Sequence, residues 1–321
     1  MAYSKDGKIE ASDINNLTTG INSTLTSLGQ TNLPAVSQYD PATASTWQNL
    51  VTTVTTIANH QDTVVASLPS TTSKIATGKS IASYETITNA ITTINSNRKN
   101  AAAQGTTVTN YTEASTTWSN QLTFTQSVTF ANTTAATNYF NAGGQIALQF
   151  LHPASTTGID TVFNQLGTDC GTLVMSGHNS GNITVAGTTF SGVTKIGGGG
   201  KAPTIAATLG FTGLTTVPQT IFKQVGGTYV SAGHGMYSLY SHPGGVYSLN
   251  NIEVKAYLTN GGTTVNFQTI WDEVPNGLVT SVGNVGGRTK TTTYVLIKYP
   301  STTYIANSWS SLSFTGSVTG S

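Results

Sequence analysis

The apolar residues of the first hundred positions follow a helical pattern. In three segments they are spaced three and then four apart, after a Ser, Thr or Asp residue of the kind that caps helices. These stripes consist of Ile14, Leu17 and Ile21, of Trp47, Leu50 and Val54, and of Tyr84, Ile87 and Ile91. The spacing predicts three short helices separated by turn-rich stretches.

Two interpretations of these stripes remain open. Each predicted helix is short and rich in threonine, a mediocre helix former, so packing must stabilise it. In the first interpretation, the stripes bury one another in a small helical core. In the second, they are assembly stripes that dock on a partner or pack around a symmetry axis.

Beyond the first 120 residues, apolar and polar positions alternate. Leu122, Phe124, Val128 and Phe130 interleave with Ser and Thr, and Gln126 interrupts the apolar face, which predicts a bulge there. Further strands are predicted at 145–151, 171–175, 182–185, 229–231, 245–249, 252–259, 265–274, 291–299 and 312–318, and a short helix at 159–167. Strands at this spacing, without long helices between them, are typical of an antiparallel β-sandwich or jelly-roll-like domain.

The change of pattern divides the chain into three parts. Residues 1–100 are predicted to form a short-helix region, residues 101–117 a linker, and residues 118–321 a sandwich-like domain. The predicted fold class is therefore mainly β with a small N-terminal α region.

The composition narrows the classes of partner. Charged residues make up 8% of the 321 residues and the net charge is +1, which argues against nucleic-acid or membrane binding. The hydrophobic fraction of 37% argues against disorder. Neither an apolar leader nor a membrane span is evident, and Cys170 is the one cysteine. We therefore expect synthesis in a host cytoplasm, no membrane insertion and no intrachain disulfide.

The chemistry-bearing residues do not form a recognisable catalytic motif. The glycine run 197–200 before Lys201 lacks the spacing of a phosphate-binding loop. Asp272 and Glu273 are adjacent, so on a strand they would point to opposite faces and could not form the carboxylate pair of a glycosidase. The sequence thus predicts no catalytic residue, no metal site and no cofactor.

One segment combines aromatic, imidazole and hydroxyl side chains. Its candidate residues are His234, Tyr237, Tyr240, His242 and Tyr247. These side chains either pack along strand faces or form a glycan-contact patch, in which rings stack on sugars and polar groups bind hydroxyls. The two histidines lack a third metal ligand at a recognisable spacing.

A pair of glycines stands directly before the strand predicted at 145–151. Asn141, Gly143 and Gly144 predict a tight strand-to-strand turn, because glycine permits positive φ. Phe140 and Ile146 are predicted to anchor either side of this turn in the core.

Two segments resemble those of bacteriophage proteins. Residues 7–17, GKIEASDINNL, resemble a segment recurrent near the start of phage tail and fibre proteins. Residues 139–146, YFNAGGQI, are similar to the FFNAGGQI signature of a family of phage virion structural proteins, with tyrosine in the first position. The resemblance implies a tail- or neck-associated fibre component of the virion without enzymatic activity.

The same resemblance implies how the chain is used. Its N-terminal region would attach to other virion proteins of the tail, baseplate or neck, and the chain would form a homo-oligomer, with a trimer as the expected form. The alternative is a tail adhesin that binds a host-surface glycan. A depolymerase spike is disfavoured by the shortage of carboxylates.

Overall fold

A computed structural model describes residues 10–37, 43–65, 68, 84–114, 118–153, 158–177, 182–226, 249–274 and 291–320. Its N-terminal part confirms the three predicted helices, α1 (Ala11–Ser27), α2 (Ala44–His60) and α3 (Tyr84–Ser96). At the start of α1, the backbone N–H of Glu10 donates to Asp13 Oδ2 at 2.9 Å. At the start of α2, the Thr43 hydroxyl accepts from the backbone N–H of Thr46 at 3.2 Å. Both helices thus begin with a side-chain cap.

The three helices bury their stripes against one another. Ile14, Leu17, Ile21, Trp47, Leu50, Val54, Ile87 and Ile91 belong to one buried cluster, and Tyr84 packs on it partly exposed. The chain therefore provides its own helical core, as in the first interpretation of the stripes. We call residues 10–96 of the described chain the helical unit.

The rest of the described chain is mainly β. Its elements are β1 (Asn100–Ala101), β2 (Gln104–Glu113), β3 (Gln121–Thr129), α4 (Thr133–Asn141), β4 (Gln145–Leu151), α5 (Gly158–Cys170), β5 (Thr172–Met175), β6 (Asn182–Val185), β7 (Thr188–Ser191), β8 (Val193–Ile196), β9 (Thr204–Ile205), β10 (Gln219–Val225), β11 (Asn251–Thr259), β12 (Thr264–Asp272), β13 (Thr292–Pro300) and β14 (Ser313–Gly320). Short 3-10 turns lie at Phe211–Gly213 and Asn260–Gly262. The predicted mainly β fold class is confirmed, and two helices, α4 and α5, lie within the β region in addition to the three N-terminal ones.

The strands form three sheets. A six-stranded antiparallel sheet has the order β14-β3-β12-β11-β10-β9, and a five-stranded antiparallel sheet has the order β2-β13-β4-β5-β8. A small sheet, β1-β6-β7, contains one parallel pair. Alternate residues of both large sheets enter one buried cluster, for example Phe124 and Phe267 from the first sheet and Leu148 and Val295 from the second.

Three predictions for this region were wrong. Residues 101–117 are not a linker throughout, because Gln104–Glu113 pairs with β13 as an edge strand. Gln126 does not form a bulge, since β3 pairs in unbroken register with both neighbours. Instead the Gln126 side chain is buried, and its Nε2 donates to the Thr293 carbonyl at 2.9 Å and to the Thr112 hydroxyl at 3.2 Å, whereas its Oε1 has no hydrogen-bond partner among the described residues. Asn141 ends helix α4 and Gly143 and Gly144 follow it, so their turn joins a helix to a strand and not two strands.

The strand register places many connections at one end of the two large sheets, which we call the far end. The residues paired side by side there are Val225, Asn251, Asp272 and Gln121 in one sheet, and Glu113, Thr292 and Leu151 in the other. Connections that begin or end there are 114–120, 152–157, 197–203, 226–250 and 273–291. The two sheets meet at this end, since Trp118 Nε1 donates to Thr291 Oγ1 at 3.2 Å.

Candidate functional site

The helical unit is fastened to the opposite end of the sheets, the base end. The Leu28 side chain, just after α1, is fully buried in the core of the β region. The Ser308 hydroxyl donates to the Leu28 carbonyl at 3.1 Å. Gln30 exchanges two hydrogen bonds with the backbone of Ala306, at 2.9 and 3.0 Å. These contacts join the first helix to the segment between β13 and β14.

The glycine turn lies at the same junction. Asn141 Nδ2 donates to the Ser27 carbonyl at 2.9 Å. Gly143 has a positive φ of +94°, a conformation that favours glycine. At Gly144 glycine is required for lack of space, because a Cβ there would lie 2.6 Å from the Tyr139 carbonyl oxygen. The buried Tyr139 hydroxyl lies 2.7 Å from the Gln145 carbonyl and fixes the start of β4. Burial raises the pKa of Tyr139. The turn therefore serves packing between the helical unit and the sheets.

A buried histidine completes the junction. His60, the last residue of α2, is 1% exposed, and its carbonyl accepts from the backbone N–H of Ala102 at 2.5 Å. Its ring lies near the backbone of Ala142 in the glycine turn, and its Nε2 has no hydrogen-bond partner among the described residues. Burial lowers the pKa of His60 from 6.5 to about 4, because the charged ring would lose its hydration. His60 is therefore neutral at pH 7 and links the helical unit to the β region.

At the far end, polar side chains form a buried chain. His152 Nδ1 lies 2.9 Å from Thr291 Oγ1, and its Nε2 lies 3.1 Å from Asp160 Oδ1. The arrangement has the residue types of a catalytic triad, but His152 is 0% and Thr291 1% exposed, so solvent and substrate do not reach the hydroxyl. Desolvation lowers the pKa of His152, against the opposing effect of Asp160. We interpret the set as a structural network that holds β4, α5 and β13 together.

Towards the far end, the outer face of the five-stranded sheet carries a row of aligned side chains, which we call the tyrosine row. The row crosses all five strands and consists of Tyr111, Tyr294, Gln149, Thr172 and Ile196, each paired with the next. Directly paired residues of antiparallel strands point to the same face, so these side chains lie next to one another. The Tyr111 and Tyr294 rings are 6.1 Å apart at 48°. Tyr111 is 62% exposed.

A shallow groove of about 330 Å³ lies beside the three middle members of the tyrosine row, Tyr294, Gln149 and Thr172. Its lining residues are Gln149, Phe150, Leu151, Gly167, Thr168, Gly171, Thr172 and Tyr294. None of these is charged, and Gln149 Nε2 donates to Thr172 Oγ1 at 2.9 Å, which orients both side chains. The small sheet covers the next row of paired residues towards the base end, because Ala147 and Val174 are buried against Ile183, Val185 and Phe190. The open part of the face is therefore confined to the tyrosine row and its surroundings.

Other candidates have structural explanations. Two glycines of the run 197–200 are packed closely on Asp169, since a Cβ on Gly198 would lie 2.3 Å from the Asp169 carbonyl oxygen and one on Gly200 2.2 Å from its Oδ2. Cys170 is fully buried, and its pKa is raised by burial. Within the described ranges, no group of three or more His, Cys, Asp and Glu residues could hold a metal ion. None of the described helices is long and apolar enough to span a membrane.

The predicted glycan-contact patch falls outside the described residues. His234, Tyr237, Tyr240, His242 and Tyr247 all belong to the segment between β10 and β11 that the structure does not describe. The described residues on either side of that segment, Gly226 and Leu249, lie at the far end. The tyrosine row was not identified from the sequence, because its members come from five separate strands.

Comparison with known proteins gives no relative. No protein-family model, no curated protein and no solved structure matches this chain.

Proposed function

We propose that this chain is a structural protein of a bacteriophage virion, a tail- or neck-associated fibre component without enzymatic activity. The observation that carries the proposal is the two-ended arrangement of the β region, with the helical unit fastened at the base end and the described ends of five connections at the far end. The helical unit would attach to other proteins of the tail, baseplate or neck, and the far end would project outward. The motifs GKIEASDINNL and YFNAGGQI support the assignment to phage proteins.

The proposal includes a finer description of the fold. The two large antiparallel sheets share one buried cluster, and α5 packs on β4 of one sheet and on β10 and β11 of the other. We interpret this as a β-sandwich in which α5 covers an open side between the sheets. The far end of such a sandwich is a rigid support for exposed groups.

The chain is also proposed to form a homo-oligomer, with a trimer as the first candidate. Because the stripes of α1, α2 and α3 are buried within one chain, subunits would associate through other surfaces. Light scattering of the full-length chain tests this part. A mass near 33.3 kDa at micromolar concentration would overturn it for the isolated protein.

Electron microscopy of phage particles tests the location. An antibody raised against the chain is gold-labelled and applied to purified particles from a lysate that contains the protein. We expect labels at the tail or neck of intact particles. Labels absent from purified particles, in a lysate where the protein is detected by blotting, would contradict the assignment to the virion.

The second candidate function is recognition of a host-surface glycan. It is favoured by one observation, the exposed tyrosine row with its uncharged groove near the far end. A depolymerase needs a pair of available carboxylates and is therefore disfavoured. Asp160 is buried in contact with His152, and the Glu253 carboxylate lies within 4.0 Å of the amines of both Lys223 and Lys255.

A further inference from the structure

We propose that the tyrosine row is a binding site for an uncharged saccharide. The inference rests on the second candidate function and locates it on described residues, separate from the predicted patch at 234–247. It commits to one occupant, a neutral oligosaccharide chain lying across the strands of the five-stranded sheet.

The first argument is the shape of the site. Four strand spacings separate Tyr111 from Ile196, so the row extends for about 19 Å at roughly 4.8 Å per spacing. The groove beside it is shallow and is lined by the three middle members of the row, Tyr294, Gln149 and Thr172. A small compact metabolite would leave most of such a surface uncovered, whereas an extended chain covers it.

The second argument is the chemistry of the side chains. Sugar rings present apolar C–H faces and a rim of hydroxyl groups. The Tyr111 and Tyr294 rings offer flat apolar surfaces, and their hydroxyls, with Gln149 and Thr172, offer hydrogen-bond donors and acceptors. A site of aromatic rings with a few oriented polar groups is the usual composition of a small-molecule site.

The third argument is charge. The lining residues of the groove carry no ionisable acid or base other than the tyrosine hydroxyl. An anionic glycan would need a cation such as arginine to compensate for its lost hydration, and the groove provides none. An uncharged polyhydroxyl chain matches the groove without any ion pair.

The fourth argument is that the site is preorganised. The side chains stand on paired strands, and the bond from Gln149 Nε2 to Thr172 Oγ1 fixes two of them. The Tyr111 ring is supported by the Tyr294 ring. Little side-chain entropy is then lost on binding, which favours a usable affinity from a small contact area.

The test is a glycan array probed with the full-length chain. The array carries linear hexasaccharides of glucose, galactose and N-acetylglucosamine and neutral O-antigen fragments, together with uronic-acid and sialic-acid oligosaccharides. We expect binding to at least one neutral oligosaccharide. Binding to none, or to the anionic members alone, overturns the inference but leaves the proposed location in the virion standing, since electron microscopy tests that separately.

The site is then located with variants, using calorimetry with the best neutral oligosaccharide of the array. Tyr111→Ala should weaken binding at least about tenfold, as expected for the loss of an exposed ring that stacks on a sugar at one end of the row, and Tyr111→Phe should stay within about threefold. Tyr304→Ala is the matched control, because Tyr304 is 42% exposed and lies in the segment between β13 and β14, at the base end. Melting curves confirm that each variant is folded.

Two results would contradict the location. Binding unchanged by both Tyr111→Ala and Gln149→Leu would place the saccharide elsewhere on the chain. A fall in oligomer mass with Tyr111→Ala, measured by light scattering without sugar, would show that the row is an interface between copies of the chain instead.

Discussion

Acid should weaken the folded protein through His60. The ring is buried between the helical unit and the glycine turn, and its pKa falls from 6.5 to about 4 on folding. In the unfolded chain His60 binds a proton below about pH 6.5, whereas in the folded chain it stays neutral down to about pH 4. The unfolded state therefore binds more protons within this window, and stability falls as the pH is lowered through it.

The size of the effect follows from the shift. At about 1.36 kcal/mol for each pKa unit, the full effect below pH 4 is about 3.4 kcal/mol. At pH 5 the protonation difference between the two states corresponds to about 2 kcal/mol, and at pH 7.5 to about zero. The burial of the ring makes solvent screening a minor correction.

The assay compares His60→Gln with the natural chain. Urea unfolding is followed by circular dichroism at pH 5.0 and pH 7.5, and the difference in unfolding free energy between the two proteins is measured at each pH. Because His152 and the carboxylates titrate in both proteins, their contributions cancel in this difference. The stability advantage of the natural chain should shrink by about 2 kcal/mol between pH 7.5 and pH 5.0.

The neighbouring variant Asn59→Gln serves as control, since Asn59 is exposed on the same helix. Its difference from the natural chain should be the same at both pH values. If the His60→Gln difference were also constant within about 0.5 kcal/mol, His60 would titrate normally in the folded state, and the burial argument for the junction would fail.

Three further predictions concern stability and reactivity. Gly144→Ala should destabilise by about 1–3 kcal/mol because its Cβ would meet the Tyr139 backbone, whereas Gly199→Ala, with its nearest contact at 3.5 Å, should leave the melting temperature nearly unchanged. Leu28→Ala should cost about 2–5 kcal/mol in urea unfolding, since this side chain is fully buried in the β core. Cys170 should react with a thiol reagent only after denaturation, and labelling of the native chain would contradict its burial.

Strongly patterned segments could be predicted from the sequence. The strand predicted at 145–151 is β4, and the helix predicted at 159–167 lies inside α5. In both elements the buried residues are the apolar ones, so the spacing of apolar residues in the sequence matches the face that packs in the core. The helical stripes could also be identified from the sequence. Their packing partner could not, because an apolar helix face has the same pattern whether it packs on the same chain or on another.

The sequence patterns missed several elements, among them β7, β8, β9 and β10, and for two others, β2 and α4, the reason is identifiable. The strand β2 is exposed along most of its length and consists largely of threonine and other polar residues, so it has no apolar alternation to recognise. The helix α4 was read as the end of a strand because a glycine pair follows it. Its signal was Asn132, whose side chain accepts from the backbone N–H of Ala135 at 2.8 Å and caps the helix.

The helical unit also illustrates how a missed strand changes a domain boundary. With residues 101–117 read as a linker, the first hundred residues would be a detachable module. The structure instead places Leu28 in the β core and joins His60 to the backbone of Ala102. A truncation at residue 100 would remove a core side chain and the strand β1, so it does not isolate an intact β region.

The tyrosine row shows what sequence patterns leave undetermined. Tyr111 and Tyr294 are 183 positions apart in the printed sequence, and only the pairing of β2 with β13 makes them neighbours. A shift of one residue in that register would turn one tyrosine to the opposite face and remove the contact between the rings. Local composition had directed attention to the tyrosines at 237–247, which are close in sequence. A binding surface built on a sheet instead takes one residue from each strand, so its composition becomes visible only when the register is known.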